Sequence, residues 1–248
     1  MTKNKNAVLI TGAAKRIGCE VALNLASKGF DVAISYNNSK DDVLILQEEI
    51  IKKYKINCKI FHANLLEKNS TKNLIAEVLQ KFSHLNLLVN NASIFEKSAF
   101  FDDVFEDNLN MHFVSPLILS KEFAKNILKN KIKNAQIINM VDKNIVRYDT
   151  KYFYYLLSKK FLAEFTKMLA LQLAPEIRVN AIAPGFILNS IDEENPLLET
   201  KSLIEKIPLK KKGEIKNILQ TINFLLENDF VNGQILSIDG GASLNHVG

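Results

Sequence analysis

Short apolar runs and longer amphipathic stretches alternate along the chain. Seven runs, each four to seven residues long and without internal proline or glycine, lie at residues 7–11, 31–36, 58–63, 87–90, 135–141, 178–183 and 234–238. Runs of this length and composition are typical of strands that are buried on both faces, as in a parallel sheet. The pattern therefore predicts seven buried strands.

Apolar residues recur three or four positions apart in the stretches between these runs. This spacing predicts helices with one apolar side at residues 17–28, 43–54, 74–82 and 152–174. Alternating strands and helices favour βαβ units with right-handed crossovers. We expect an α/β fold: a single doubly wound Rossmann-type domain over residues 1–248, with a seven-stranded parallel sheet flanked by helices.

One segment interrupts the alternation. Residues 185–212 are rich in Asn, Asp, Glu and Pro and show only a short helical patch near residues 197–207. A long loop at the carboxyl end of a strand is usually a lid or a binding loop, although a variable surface loop is the alternative. We interpret this segment as a substrate loop.

Composition excludes several classes of protein. Only 9 Gly and 5 Pro occur among 248 residues, too few for a collagenous or disordered chain. The two cysteines, Cys19 and Cys58, exclude a disulfide scaffold and a cysteine-rich zinc site, and they suit a reducing compartment. We expect no metal site.

The net charge of +5 does not indicate a nucleic-acid surface, because the lysines are scattered and Arg16, Arg147 and Arg178 are the only arginines. No segment approaches the roughly 18 apolar residues that a membrane span needs. The first residues lack the features of a signal peptide. The sequence thus predicts a cytoplasmic protein that binds neither nucleic acid nor membranes.

A glycine-containing turn follows the first predicted strand and leads directly into a helix. Gly12 permits a tight turn, Gly18 lets the helix approach the strand, and Ala13 and Ala14 keep the backbone accessible. The N-terminus of the helix then offers free N–H groups and a positive dipole end to a pyrophosphate. We expect a dinucleotide cofactor here.

The residues that follow the second strand indicate whether a dinucleotide site prefers NAD or NADP. NAD sites usually place Asp or Glu there against the ribose 2′-hydroxyl, whereas this chain has Asn37, Asn38 and Ser39. Lys15 and Arg16 lie in the nearby turn and favour a 2′-phosphate. The sequence predicts NADPH rather than NADH.

Tyr155 and Lys159 are candidates for acid–base chemistry. They are four residues apart in a predicted helix and point to the same side. A free phenol has a pKa of about 10, and a fixed ammonium nearby would lower it. We therefore expect Lys159 to lower the pKa of Tyr155 and make it a usable proton donor.

Five motifs occur in a fixed order: Thr11-Gly12 with Gly18, Asn90-Asn91-Ala92, Tyr155 with Lys159, Pro184-Gly185 and Asp239-Gly240-Gly241. In order and spacing they resemble the motif set of the short-chain dehydrogenases/reductases, over nearly the whole chain. The resemblance implies an oxidoreductase in which Lys159 also bonds the nicotinamide ribose. The cofactor-binding positions that it implies are Gly12, Lys15, Arg16, Ile17, Asn37, Asn38, Ser39, Asn64, Leu65, Asn91, Ala92, Ser93, Tyr155, Lys159, Pro184 and Gly185.

Three departures from the general pattern resemble the pteridine reductases and the related dihydromonapterin and dihydrofolate reductases. Arg16 replaces a third glycine, Ser93 follows Asn90-Asn91-Ala92 where glycine is commoner, and Asp142 stands where the usual serine lies 13 residues before the tyrosine. This resemblance implies that Arg16 faces the cofactor phosphates and the pterin, Phe95 stacks on the pterin and Ser93 bonds near it. Asp142 and Tyr155 would form the proton-delivery pair.

Aspartate at position 142 suits reduction of a C=N bond. Such a reduction needs a proton on nitrogen, and two acidic groups in one apolar pocket can share a proton. Asp142 could instead only cap the loop that follows the strand. His112 stands at the usual position of an asparagine that organises a water chain, and it could either titrate or simply pack.

The sequence leaves other functions open. A carbonyl reductase, such as a 3-oxoacyl-thioester reductase, would share Tyr155, Lys159 and the Asp239-Gly240-Gly241 motif. A catalytically silent cofactor-binding scaffold is the third possibility. Predicted helices around residues 109–128 and 152–174 correspond to those that the family uses for subunit contacts, which implies a homotetramer.

Overall fold

A computed structural model describes residues 6–187 and 196–244, and its strands form one parallel sheet of seven. The strands are β1 Ala7–Ile10, β2 Asp31–Tyr36, β3 Cys58–His62, β4 Leu85–Asn90, β5 Ala135–Met140, β6 Ile177–Pro184 and β7 Ile235–Ile238. Their order across the sheet is β3-β2-β1-β4-β5-β6-β7. The predicted Rossmann-type sheet is confirmed, and every strand end lies within two residues of the predicted one.

Helices cover both faces of the sheet. They are α1 Arg16–Ser27, α2 Lys40–Tyr54, α3 Lys68–Lys81, α4 Phe105–Leu109, α5 Ser115–Asn130, α6 Phe153–Leu173, α7 Pro196–Lys206 and α8 Ile215–Glu227. One apolar core lies between the sheet and α1, α2 and α8, and a second lies between the sheet and α3, α5 and α6. Neighbouring residues of β1 alternate between the two cores, because side chains of a strand point to opposite faces.

The prediction that every strand is buried on both faces is wrong for β3 and β7, the outer strands, which are only partly buried. The helical patch near residues 197–207 is present as α7 Pro196–Lys206. Residues 188–195, the middle of the predicted substrate loop, lie outside the described residues.

The chain reverses its direction of winding between β1 and β4, which are neighbours in the sheet. In doubly wound folds, ligands bind beyond the carboxyl ends of the strands at such a switch point. The predicted cofactor turn and the segments after β4, β5 and β6 therefore lie at one edge of the sheet. None of the helices in the described residues is long and apolar enough to cross a membrane.

A wider helical turn, Asn110–Val114, joins α4 to α5 and carries His112. Its carbonyls are bonded five residues on rather than four, and turns of this type occur frequently at functional sites. The turn packs against α6. It brings His112 between the segment after β4 and the helix of Tyr155.

Candidate active site

The turn after β1 is built around two close backbone approaches. A Cβ added to Gly12, whose φ is +61°, would lie 2.8 Å from the Ala92 Cα atom. A Cβ added to Gly18 would lie 2.6 Å from the Asn91 side-chain nitrogen and 2.7 Å from the Ala13 Cα atom. Both positions therefore require glycine, as the sequence predicts.

Asn91 and Thr11 fix this turn against the end of β4. The Asn91 side-chain amide donates to the carbonyls of Thr11 and Gly12, at 2.9 and 3.1 Å. The Thr11 hydroxyl in return accepts the backbone N–H groups of Asn91 and Ala92, at 2.9 and 3.0 Å. Helix α1 begins without a side-chain cap and without an acidic residue in its first turn. Its N-terminus therefore suits an anion such as a pyrophosphate.

Charged residues flank the same turn. The Lys15 ammonium lies 2.9 Å from the Asp42 carboxylate at the start of α2. Arg16 lines the cavity at a φ of +57°, a conformation that favours glycine, so arginine at this position costs backbone strain. Asn37 and Asn38 are exposed between β2 and α2. Only neutral residues follow β2 directly. Asp42, however, places a carboxylate next to Lys15, which the sequence pattern did not reveal.

The carboxyl of Asp142 contacts the Tyr155 phenol. Asp142 follows β5, and its Oδ1 accepts the Asn144 backbone N–H at 2.7 Å, which caps a short helical turn. Its Oδ2 accepts the Tyr155 hydroxyl at 2.9 Å. The capping role and the pairing with Tyr155 thus coexist, each on its own oxygen.

Lys159 lies one helical turn beyond Tyr155 and is fully buried. Its ammonium donates to the Met140 carbonyl at 2.8 Å and lies 5.8 Å from the centre of the Tyr155 ring. An ammonium has three N–H donors, so Lys159 can also bond a ligand in the cavity that it lines. Burial lowers the pKa of Lys159 to about 8, and the Asp142 carboxylate opposes this shift.

The predicted lowering of the Tyr155 pKa is not what the structure shows. Burial raises the pKa of Tyr155 well above its ordinary value, and the adjacent Asp142 carboxylate raises it further. A hydrogen bond with the Ser93 side chain lowers the pKa of Tyr155, but by less. Tyr155 is therefore held as a phenol whose proton points at Asp142.

Aromatic rings form one wall of the site. Phe95 stacks on Tyr152, with ring centres 4.6 Å apart and planes at 11°, and it meets Tyr155 edge to face. A parallel bridge between Ser98 and Tyr152 ties the segment after β4 to the start of α6. The Ser98 backbone N–H donates to the Lys151 carbonyl, and its hydroxyl accepts the Tyr154 N–H. Phe95 is therefore held in place by Tyr152, although half of it stays exposed.

His112 occupies the buried centre of the site. Its Nε2 lies 2.9 Å from the Ser93 hydroxyl and 3.2 Å from the Ile94 backbone nitrogen, and its Nδ1 lies 2.9 Å from the Ser158 hydroxyl. Burial lowers the pKa of His112 well below its ordinary value, and the Lys159 ammonium lowers it further. His112 is thus a neutral imidazole, and both of its nitrogens have partners.

A cavity of about 470 Å³ brings most of the predicted site residues together. The predicted residues that line it are Gly12, Lys15, Arg16, Ile17, Asn91, Ser93, Phe95, Asp142, Tyr155, Lys159, Pro184 and Gly185. Gly18, Met140, Val141 and Ile187 line it as well. A Cβ on Gly185 would lie 2.6 Å from the Asp239 Cα atom, so the glycine lets the strand ends of β6 and β7 meet.

Six predicted cofactor residues do not line this cavity: Asn37, Asn38, Ser39, Asn64, Leu65 and Ala92. The Asn64 side chain is engaged within its own turn, since it accepts the Leu66 N–H and donates to Glu67. Leu65 is buried, and its carbonyl accepts the Ser115 hydroxyl. Their predicted contacts with the adenosine part remain predictions.

Sequence reasoning missed two supporting residues. Tyr152 and Ser158 lie three residues before and after Tyr155, so helical spacing places both on the side of α6 that carries it. That spacing could have identified them. No signal in the sequence showed that Ser158 would meet His112, because the two come from separate helical segments.

Comparisons with known proteins agree on the family. A family model described as enoyl-(acyl carrier protein) reductase matches residues 12–243. The 3-oxoacyl-[acyl-carrier-protein] reductase FabG of Staphylococcus epidermidis is 33% identical, over 96% of this chain and 98% of that protein. The structure of FolM alternative dihydrofolate reductase 1 from Brucella canis, complexed with NADP, has a TM-score of 0.89 at 32% identity and covers 96% of this chain and 94% of that one. The Brucella suis protein of the same name, also with NADP, has a TM-score of 0.89 at 31% identity, over 97% and 96% of the two chains.

Proposed function

Because the chain belongs to the short-chain dehydrogenase/reductase family and is an oxidoreductase, we propose that it is an NADPH-dependent reductase of pteridines of the dihydropterin or dihydrofolate type. The observation that carries this proposal is the hydrogen bond from the Tyr155 hydroxyl to the Asp142 carboxylate, 2.9 Å long. A carboxyl group at this position can supply protons to a ring nitrogen, which reduction of a C=N bond requires.

The residues present fit NADPH. The close approaches at Gly12 and Gly18 and the uncapped start of α1 leave room and N–H donors for a pyrophosphate. Lys15 and Arg16 supply positive charge for a 2′-phosphate, and the two Brucella structures of similar fold contain NADP. When bound, NADPH supplies the hydride.

The protein's own residues deliver the proton. Tyr155 stays protonated because its pKa is raised, so it gives up its proton only to a strongly basic atom, such as the nitrogen that hydride transfer leaves electron-rich. The phenolate then formed lies beside the Lys159 ammonium, which stabilises it. Asp142, partly exposed, takes up a proton from water and returns it to Tyr155.

The substrate half of the cavity suits a flat heteroaromatic ring. Phe95 offers a half-exposed ring braced by Tyr152, and flat rings gain from stacking on such a surface. Ser93 and Arg16 add polar contacts at the same opening. We assign Ser93, Phe95 and Arg16 to substrate binding on this basis.

A substrate panel tests the proposal. NADPH oxidation is followed with dihydrobiopterin, dihydromonapterin, dihydrofolate and an acetoacetyl thioester, for the wild-type protein and Asp142→Ala. We expect turnover of at least one dihydropterin or dihydrofolate, about 10²-fold slower in Asp142→Ala, with NADPH affinity unchanged. Pteridine turnover that survives this substitution would contradict the proton route.

A second candidate is a 3-oxoacyl-thioester reductase. Its support is the 33% identity to FabG of Staphylococcus epidermidis. A serine hydroxyl beside the tyrosine would help to stabilise the alkoxide that forms when C=O is reduced, whereas a carboxylate at Asp142 repels it. Turnover of the thioester alone in the panel would favour this candidate, and tight NADPH binding without any turnover would indicate a scaffold.

We also propose a single domain that assembles as a homotetramer. Apolar side chains of α5 and α6 are exposed in the single chain, among them Leu128, Met168 and Leu171. Exposed apolar surface of this kind marks an interaction surface. Sedimentation that gives the mass of one chain would remove this proposal.

A further inference from the structure

We infer that Arg147 is a positioning residue: it ties the loop that carries Asp142 to the turn after β7, and so holds the Asp142 carboxylate where the Tyr155 hydroxyl reaches it. Arg147 lies outside the set of described residues that line the cavity, so its effect on the reaction passes through Asp142. The role of Asp142 in the reaction rests on the proposed function. The position of the loop can be tested on the protein without substrate.

The loop begins at Asp142, directly after β5, and forms the short helical turn Lys143–Val146. One oxygen of the Asp142 carboxyl accepts the Asn144 backbone N–H at 2.7 Å, and the other accepts the Tyr155 hydroxyl at 2.9 Å. The carboxyl is therefore shared between its own turn and α6. Because it is one rigid group, a displacement of the turn would move the oxygen that bonds Tyr155.

Arg147 fastens the end of this turn to a distant part of the chain. Its backbone N–H donates to the Asn144 carbonyl at 2.8 Å, and its guanidinium donates to the Ala242 carbonyl. Val146 and Tyr148 on either side are 60% and 96% exposed, whereas Arg147 is partly buried. A guanidinium is a rigid, planar donor, so a bond of this kind restricts both distance and direction.

The turn that carries the Ala242 carbonyl is itself fixed. Asp239 follows β7, and its carboxylate accepts the backbone N–H groups of Gly241 and Ser243, at 3.0 and 2.6 Å. Burial raises the pKa of Asp239, but the hydrogen bonds from Ser243 and Gly241 and the Lys143 ammonium together lower it below its ordinary value. Asp239 is therefore a stable carboxylate that keeps the turn closed.

Strand β7 connects this turn to the edge of the cavity. The Gly185 N–H donates to the Ile238 carbonyl at 2.9 Å, and Gly185 lines the cavity after β6. The acceptor of Arg147 thus has a fixed position relative to the site. Arg147 therefore sets the position of Asp142 against a rigid part of the protein.

Lys143 adds an electrostatic link between the same two segments. Its ammonium donates to the Asn144 side-chain oxygen at 3.1 Å. Burial lowers the pKa of Lys143, and the Arg147 guanidinium lowers it further. The Asp142 and Asp239 carboxylates oppose that shift. Both carboxylates therefore lie close enough to Lys143 to stabilise its charge, which favours the arrangement that Arg147 fastens.

The first test replaces Arg147 by methionine, which keeps an unbranched apolar stem and removes the donors. Deuterium exchange of the backbone N–H groups of residues 142–147 is measured by mass spectrometry without substrate. We expect exchange about tenfold faster in Arg147→Met. Exchange should stay close to the wild-type rate in Arg147→Lys, whose ammonium can still donate to the Ala242 carbonyl. Unchanged exchange in Arg147→Met would overturn the inference whatever the substrate is.

Arg178→Met is the matched control. Arg178 lies near the start of β6, and its guanidinium donates to the backbone carbonyls of Val231 and Leu225, both at 2.9 Å. The same change thus removes bonds of the same kind at the end of β6 far from the cavity. It should lower the melting temperature without faster exchange in residues 142–147 and without a lower kcat. Equal losses of kcat in Arg178→Met and Arg147→Met would overturn the inference.

The second test is a double-mutant cycle of Arg147→Met and Asp142→Ala, with the substrate that the panel identifies. Arg147→Met alone should lower kcat about tenfold, because a misplaced Asp142 delivers protons less well, and should change the Kd for NADPH less than about threefold. The double variant should be at most about twofold slower than Asp142→Ala, because Arg147 acts through Asp142. Losses that multiply, or an unchanged kcat in Arg147→Met, would contradict the inference.

The two tests separate this inference from the proposed function. If the panel shows no pteridine turnover, the proposed function fails, and the exchange measurement alone decides whether Arg147 holds the loop. If Arg147→Met does not fold, Asp239→Ala replaces it, because it releases the turn that carries the Ala242 carbonyl. It should give the same faster exchange in residues 142–147, and an unchanged rate would count against the inference.

Discussion

The cofactor side and the substrate side of this cavity are held together in different ways. The cofactor side consists of backbone: a Cβ added to Gly12 or Gly18 would lie less than 3 Å from a neighbouring atom, and Asn91 fixes the turn through two carbonyls. The substrate side consists of side-chain pairs from separate elements, such as Asp142 with Tyr155 and Ser93 with His112. The first side is thus a matter of backbone geometry, and the second depends on which side chains the chain carries.

This difference indicates which property of the protein each side of the cavity controls. A backbone cradle binds any dinucleotide of the right shape, so it is shared by the many reductases of the family. Phe95, Asp142 and His112 take no part in the hydrogen bonds that hold that cradle together. Substrate choice and proton delivery therefore belong to the substrate side, and substitutions should separate the two functions.

The largest effect is expected from Tyr155→Phe. Removal of the hydroxyl eliminates the proton donor, so kcat should fall about 10²- to 10⁴-fold, while the Kd for NADPH changes less than about threefold. Single-turnover absorbance and fluorescence titration measure the two quantities. Equal losses of kcat and of NADPH affinity would contradict the separation of the two sides.

Gly12→Ala should have the converse effect. Its φ of +61° is unfavourable for alanine, and the new Cβ would lie 2.8 Å from the Ala92 Cα atom. We expect NADPH affinity to fall about 10²-fold and the free energy of unfolding by about 2 kcal/mol. Gly29→Ala is the matched control, because Gly29 also has a positive φ but nothing lies within 4 Å of the added Cβ. Unchanged NADPH binding in Gly12→Ala would contradict the claim that the turn at Gly12 holds the cofactor.

These two sides also differ in how far the sequence predicts them. Alternating patterns predicted all seven strands, and the position of Gly12 and Gly18 between a strand and a helix predicted the turn, because both are visible as local patterns in the sequence. The raised pKa of Tyr155 could not be predicted, since it arises from burial and from Asp142, 13 residues away. The ion pair between Lys15 and Asp42 could not be predicted either, because it joins α2 to the turn after β1.

A third prediction concerns the buried Lys159 and the pH dependence of stability. Its pKa is about 8 in the folded protein and about 10.4 in an unfolded chain, so between these values the unfolded state binds more protons. Stability from this group therefore rises with pH across that window. Relative to Lys159→Met, the wild-type free energy of unfolding should increase on the order of 2 kcal/mol from about pH 7 to 10 in urea titrations. A constant difference would show that Lys159 is not buried as described.

The smallest effects are expected at the edge of the cofactor side. Lys15→Gln should lower the preference for NADPH over NADH about tenfold, because it removes a cation from the place where we propose that the 2′-phosphate binds. Asp42→Asn removes the carboxylate 2.9 Å from Lys15 and should raise that preference about threefold. Equilibrium titrations with both cofactors provide the ratio. Comparable affinity of the wild-type protein for both would contradict the choice of NADPH.

The central claim is that Asp142 beside Tyr155 makes this a pteridine reductase. Its most direct test is the ratio of kcat/KM for a dihydropterin to kcat/KM for an acetoacetyl thioester, in the wild-type protein and in Asp142→Ser. We expect a ratio above one in the wild-type protein that falls about 10²-fold in Asp142→Ser, with NADPH affinity unchanged. A wild-type preference for the thioester, or the same ratio in both proteins, would contradict the claim.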